Sequence, residues 1–413
     1  MKTIFIATFA FISLSAFWPK ESSKTAQLSN EKFTGATPRF TTDHRGNPVL
    51  SWVEKDGDKS FFYFAVSENG GQTFDKKIQI NAPADLTVHA EGMPRVAFRA
   101  DGSIWATFEI KKPTKEAPRA SDLMYVTSAD NGKTWSTPKA VHKDISPGKG
   151  HSFSDMVRLP NGELGFVWLD EKMGNYDGRS VKFVQTLPNG GFSEEVVVDS
   201  NACQCCRTVL FIDADKNIHL TYRDLLADGT RDMSHALSTD GGKSFTQPQL
   251  VYKDRWKVNA CPHTGPGMTQ AGNDFFVTWF SGKSESHEAG VRIVKLGEEK
   301  LFSCNLTVRA KHPQIANLNG NLAVVWDESV EKNGEFFTKI ALRIIDKNGK
   351  ETTTHLTADN ENASYPVLLP TPHGLLLSYE LQKSNDKAVI VSQLIGKVLN
   401  GVRLNSGEVN YYR

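Results

Sequence analysis

The chain has 413 residues, 39% of them apolar and 23% charged, which is ample material for a large core and excludes a disordered or fibrous protein. Lys and Arg number 48 against 47 Asp and Glu, so no charge excess marks out a nucleic acid or an anionic membrane as partner. With 32 Gly, 18 Pro and 24 Phe, the composition suits short strands joined by tight turns.

Lys2 precedes an apolar run over residues 4–18 that is broken only by Thr and Ser. The run is short for a membrane span and reads as a signal peptide (residues 1–18), which predicts a periplasmic or secreted protein in an oxidising space. Residues 19–27 read as a polar linker and 28–413 as the folded body, with no later stretch that could span a membrane.

One pattern then recurs along the body: a small residue or Pro, a strand, a Gly/Asn/Asp turn, and a second strand ending in an aromatic. Thr37-Pro38-Arg39 leads through His44 to Asn47 and on to Val49-Leu50-Ser51-Trp52. Met93-Pro94-Arg95 leads through Asp101-Gly102 to Phe108, and Asp155-Met156-Val157 through Asn161-Gly162 to Trp168. Later copies end at Tyr222, Trp279-Phe280, Trp326 and Tyr379. Runs joined by such turns are hairpins, and each is followed by a second pair of strand-like runs. Four strands per roughly 50–60 residues is the pattern of a propeller blade, so we expect an all-β, β-propeller fold of four-stranded blades. Seven units are counted, or six if one hairpin is misread, and residues 28–33 are the expected strand that closes the ring.

A second repeat marks the turn between the third and fourth strands. Ser67-Glu68-Asn69-Gly70-Gly71-Gln72-Thr73-Phe74, Ser128-Ala129-Asp130-Asn131-Gly132-Lys133-Thr134-Trp135 and Ser238-Thr239-Asp240-Gly241-Gly242-Lys243-Ser244-Phe245 share one template. An Asx side chain can bond the turn amides, Gly takes positive φ, and the aromatic plugs the packing. These copies resemble the Asp-box (BNR) repeat of sialidase-like β-propellers. The resemblance implies the fold; sialidase activity would also need three arginines clamping a carboxylate, an Asp acid/base and a Tyr nucleophile with its Glu. The family's first arginine lies two residues before the Pro that opens a hairpin. Ala36 and Gly92 hold those positions here, while Arg39 and Arg95 follow the Pro. The chain is also similar to a group of secreted bacterial proteins with a Cys-x-Cys-Cys run and an Ala-Cys-Pro run.

Those runs are Cys203-Gln204-Cys205-Cys206-Arg207 and Ala260-Cys261-Pro262-His263, four of the five cysteines, each just ahead of an inner strand. Thiols beside an imidazole form a donor set for copper or zinc, with Cys203, Cys205, Cys206, Cys261, His263 and Met268 as candidate ligands. Cys203 and Cys205 should point one way on an extended strand and Cys206 the other. Glu91, Arg207 and His312 sit at matching positions and would line the channel around the metal. Disulfides are the competing expectation in an oxidising space, either Cys203 or Cys205 with Cys261, or a vicinal Cys205-Cys206 ring. A third reading takes His89, His151, Asp155 and Tyr365 as acid/base groups of a carbohydrate-active enzyme, a glycoside hydrolase or polysaccharide lyase working on a small glycan in the channel. The last reading is a disulfide-stapled binding module.

Overall fold

The computed structural model of the protein describes residues 25–396 apart from 286 and 385, together with the backbone of a hairpin formed by Leu404–Asn405 and Glu408–Val409. The expected signal peptide and residues 19–24 of the expected linker lie outside the described residues. Among the described residues no helix is long and apolar enough to cross a membrane.

Seven four-stranded antiparallel sheets follow one another along the chain. Their inner strands are Thr34–Thr42, Arg95–Phe98, Ser152–Arg158, Val209–Ile212, Gly267–Ala271, Ala310–Leu318 and Ala363–Thr371, which open blades 1 to 7. Each expected hairpin forms the first two strands of its blade. The outer strand of blade 7 comes from the opposite end of the described chain: Thr25–Gln27 pairs antiparallel with Lys387–Gly396, Ala26 opposite Ser392. The ring therefore closes through three residues of the expected linker, and Leu28 continues the contact through its amide to the Ile390 carbonyl, 2.9 Å.

The second strands are buried on both faces, and four of them carry a fully buried tryptophan. A buried indole N–H needs an acceptor. Trp52, Trp168 and Trp326 each donate to the carboxylate two residues on (Glu54, 3.0 Å; Asp170, 2.6 Å; Glu328, 2.9 Å), and Trp279 donates to Asp254, 2.6 Å. The Asp-box turns work as their composition predicts. Ser128 Oγ donates to Asp130 and accepts the Gly132 amide, while Asp130 accepts the Thr134 amide at 2.9 Å. The box aromatics pack between blades: Trp135 of blade 2 meets Phe64 of blade 1, and Phe245 of blade 4 meets Phe183 of blade 3.

One irregularity aims the inner strands at the channel. Blades 1, 3, 6 and 7 each break register early in the first strand, and Thr37, Phe153, His312 and Tyr365 take positive φ there (51–57°). Left-handed backbone at non-glycine residues is costly and needs support from its surroundings. For three of the four a carboxylate from the preceding blade accepts the freed amide: Glu380 for Thr37, Glu109 for Phe153 and Asp327 for Tyr365, at 2.7–2.8 Å.

Candidate metal centre

The Cys-x-Cys-Cys run leaves blade 3 at Ala202 and turns before blade 4 begins at Val209. Because it is a turn and not an extended strand, the expected alternation does not apply, and Cys206 points to the same place as its neighbours. The sulfurs of Cys203, Cys205 and Cys206 all lie within 4.8 Å of one another. The Ala-Cys-Pro-His run, between blades 4 and 5, brings Cys261 and His263 to the same spot, so that Cys205, Cys261 and His263 form a second triad within 4.8 Å. Cys205 belongs to both. All five cysteines are free thiols, with Cys203, Cys205 and Cys206 buried and Cys261 exposed. Cys304 stands apart in the outer strand of blade 5.

Electrostatics select the first thiol to ionise. Hydrogen bonds from Cys205 and Cys206 hold the Cys203 thiol well below its ordinary value, and Arg223 and Arg231 act in the same direction. The Arg231 guanidinium donates to the Cys203 sulfur at 3.0 Å. The bonds to Cys203 and Cys206 push Cys205 far up, and burial followed by the Cys203 hydrogen bond pushes Cys206 to about 12. Cys203 is therefore the easiest of the three thiols to ionise, and a bound cation would offset the cost of ionising its neighbours.

His89 reaches this site from the link between blades 1 and 2. Its Nδ1 accepts the amides of Glu91 (3.1 Å) and Gly92 (3.3 Å), so its proton sits on Nε2, which donates to His263 Nδ1 at 2.8 Å. His263 in turn carries its proton on Nε2. It becomes a ligand only by releasing that proton or by giving up His89.

Glu91 and Arg207 tie the two cysteine loops together. Their side chains form a buried ion pair, each 1% exposed. The Glu91 carboxylate also accepts the amides of Arg207 (3.2 Å), next to Cys206, and of Gly265 (2.6 Å), two residues past His263. Arg207 spans the channel to the carbonyls of Pro266 and Pro313, both 3.2 Å away. A Cβ at Gly265 would run into Arg207, which explains the glycine there.

Other expected site residues lie elsewhere. Met268 faces the core between blades 4 and 5, beside Val277 and Trp279, and its sulfur accepts the Thr221 hydroxyl at 3.4 Å; a place in the regular strand directs it away from the thiols. His312 bonds Asp327 at 2.8 Å and packs against Tyr365, ring centroids 4.4 Å apart and planes tilted by 39°, in a small pocket with Glu91 and Arg207. Burial raises Tyr365 to about 12. Asp155 accepts the Leu210 amide (3.0 Å) and faces Arg95 at 3.4 Å and Arg39 at 3.9 Å. His151 is wholly buried, bonded to Asp170. The set His89, His151, Asp155 and Tyr365 therefore does not assemble around one point: each is held by a different partner.

Beside the thiols opens a cleft of about 1000 Å³, lined among others by His89, Glu109, Arg179, Cys205, Cys261 and His263. Burial raises Glu109 to about 7 from an ordinary 4.5. The folded protein thus keeps a proton that the unfolded chain loses, and this group's contribution to stability falls as pH rises from about 4.5 to 7. Glu109→Gln retains the acceptor for Phe153. The variant should gain on the wild type across that window, by on the order of 3 kcal/mol in denaturant unfolding at pH 8 relative to pH 4. A pH-independent difference between the two proteins would contradict this.

The fold and the site define a seven-bladed Asp-box propeller with thiols and imidazoles gathered at one rim of its channel. The chain belongs to the BNR repeat-like domain family, whose profile matches residues 62–377. Among curated proteins no sequence matches it. Of solved structures, one of a Dyadobacter fermentans protein of unknown function is similar over 92% of this chain and 99% of that one (15% identity, TM-score 0.50). The polysaccharide lyase Uly1 is similar over 88% and 90% (11% identity, TM-score 0.54). NanB sialidase from Streptococcus pneumoniae is similar over 87% and 85% (9% identity, TM-score 0.48).

Proposed function

We propose that this propeller is an exported protein that binds a soft metal ion, Cu(I) or Zn(II), through Cys203, Cys205, Cys206, Cys261 and His263. The observation that carries the reading is the meeting of two cysteine loops, from the links before and after blade 4, in overlapping triads that share Cys205. Thiolate is the ligand such ions select, and an incoming cation supplies the charge that a buried thiol cluster otherwise lacks. Arg231 and the Glu91–Arg207 pair hold the loops in place before the ion arrives. Metal-stripped protein handled without oxygen should take up close to one equivalent of Cu(I), and a Cys203→Ser/Cys205→Ser/Cys261→Ser variant almost none. Equal, substoichiometric metal in both would end the proposal.

The cleft favours a second reading, a carbohydrate-active enzyme acting on an acidic glycan, because Arg119, Arg179 and Lys111 share its wall with Glu109 and Glu171. Turnover of uronic-acid polymers or sialosides that survives loss of the thiols would favour it.

A further inference from the structure

Behind the wall of the cleft lies a second group of metal-ligating side chains that plays no part in the thiol centre. Asp122 belongs to the third strand of blade 2 (Ser121–Ser128), His142 follows that blade's last strand, and His151 precedes blade 3. The link between the blades folds back along the third strand, with the His151 amide on the Ser121 carbonyl at 2.8 Å and Ser121 bridging Gly150. Ser121, Gly150 and Ser152 face the cleft, while Asp122 and His151, one residue along, turn inward.

One donor atom from each of Asp122, His142 and His151 lies within 4.8 Å of the others, and the three residues are 8%, 4% and 0% exposed. Asp122 Oδ1, His142 Nε2 and His151 Nε2 are buried without a hydrogen-bond partner. Three such atoms converging is unusual, since each buried polar atom left unpaired costs about 1–3 kcal/mol. The remaining atoms of the same side chains are all engaged. His142 Nδ1 bonds the Asp144 carbonyl (2.8 Å), and His151 Nδ1 bonds Asp170 (2.9 Å). Both Nδ1 atoms therefore donate, and each Nε2 is left without a hydrogen-bond partner. Asp122 Oδ2 is held by Lys112 at 2.7 Å, and Oδ1 faces His142 Nε2 at 3.6 Å, beyond hydrogen-bond reach. A second carboxylate or carbonyl fixing the far nitrogen of each histidine is the arrangement that supports imidazole ligands.

We infer that Asp122, His142 and His151 bind a zinc-type divalent ion that pins the 142–151 link against blade 2 and so braces the cleft wall. Two imidazoles and one carboxylate suit zinc, with water completing the shell. The two rings lie stacked, centroids 3.5 Å apart and planes 13° from parallel, which keeps their nitrogens close together beside Asp122.

The test separates this site from the thiols. In a variant with all five cysteines changed to serine, metal-stripped protein should take up one equivalent of Zn(II). Its Co(II) form should show visible d–d bands without the sulfur-to-cobalt charge-transfer band. Adding Asp122→Asn or His142→Gln should weaken Zn(II) binding at least 100-fold, with circular dichroism reporting that the fold persists. If the cysteine-free chain does not fold, the readout is zinc content of otherwise wild-type protein, which His142→Gln should lower by one equivalent while leaving Cu(I) capacity intact. A folded cysteine-free chain that takes up no zinc, or zinc uptake unchanged by Asp122→Asn and His142→Gln in either background, overturns the inference.

Discussion

Arg207→Met should lower the free energy of unfolding of the metal-free protein by about 3–5 kcal/mol, the cost of leaving one partner of a buried ion pair uncompensated. The charge left behind is Glu91, 1% exposed, which keeps the amides of Arg207 and Gly265 as donors but loses its paired guanidinium. The same substitution strips the carbonyls of Pro266 and Pro313 of their donor, so the links into blades 5 and 6 loosen as well. Removing both charges with Glu91→Leu/Arg207→Met should cost clearly less than the sum of the two single changes, because no orphan charge remains. Denaturant titrations of the four proteins in chelator decide the point. A loss under 1 kcal/mol for Arg207→Met, or strict additivity, would mean that the pair is solvated and does not act as the keystone of the channel.

Cys205→Ser should weaken Cu(I) binding more than any other single cysteine change, by at least 100-fold in competition with a chromophoric chelator. Cys205 is the one sulfur common to both triads, so its loss leaves neither three-donor set complete. Cys206→Ser removes a donor from the buried triad alone, and Cys261→Ser from the outer triad alone, so each should have a smaller effect. Outer residues that only orient ligands typically account for 10–100-fold, which sets the scale expected for Arg231→Met, a change that withdraws the guanidinium from Cys203. Equal losses for all four cysteines would show that Cys205 has no special place and would count against two triads joined at that sulfur.

The ring was legible in the sequence because a hairpin and an Asp-box impose fixed local chemistry: Gly at positive φ, Asx or Ser on turn amides, an aromatic that must be buried. The closing strand was placed a few residues late. Thr25–Gln27 is polar and exposed, and its pairing rests on backbone hydrogen bonds, which leave no mark in residue type. The thiol centre was legible because blades repeat, so equal positions in successive units imply one rim. Two details were not. Alternation along an extended strand misdirected Cys206, which lies in a turn, and Met268 was grouped with the thiols by proximity in sequence although its strand buries it in the core. Asp122 and His142 carried no motif at all. They lie twenty residues apart, Asp122 on the third strand of blade 2 and His142 just past the fourth; the pairing of those two strands brings them together, and the link's bond to Ser121 adds His151.

X-ray absorption at the copper edge of anaerobically purified, copper-loaded protein tests the central claim most directly, since it reads the atoms bound to the ion. A first shell dominated by sulfur, with at most one nitrogen of imidazole type, is the expected spectrum, and it should lose sulfur in Cys205→Ser. A shell of nitrogen and oxygen only, unchanged by that substitution, would show that the cysteines at the channel rim do not hold the metal.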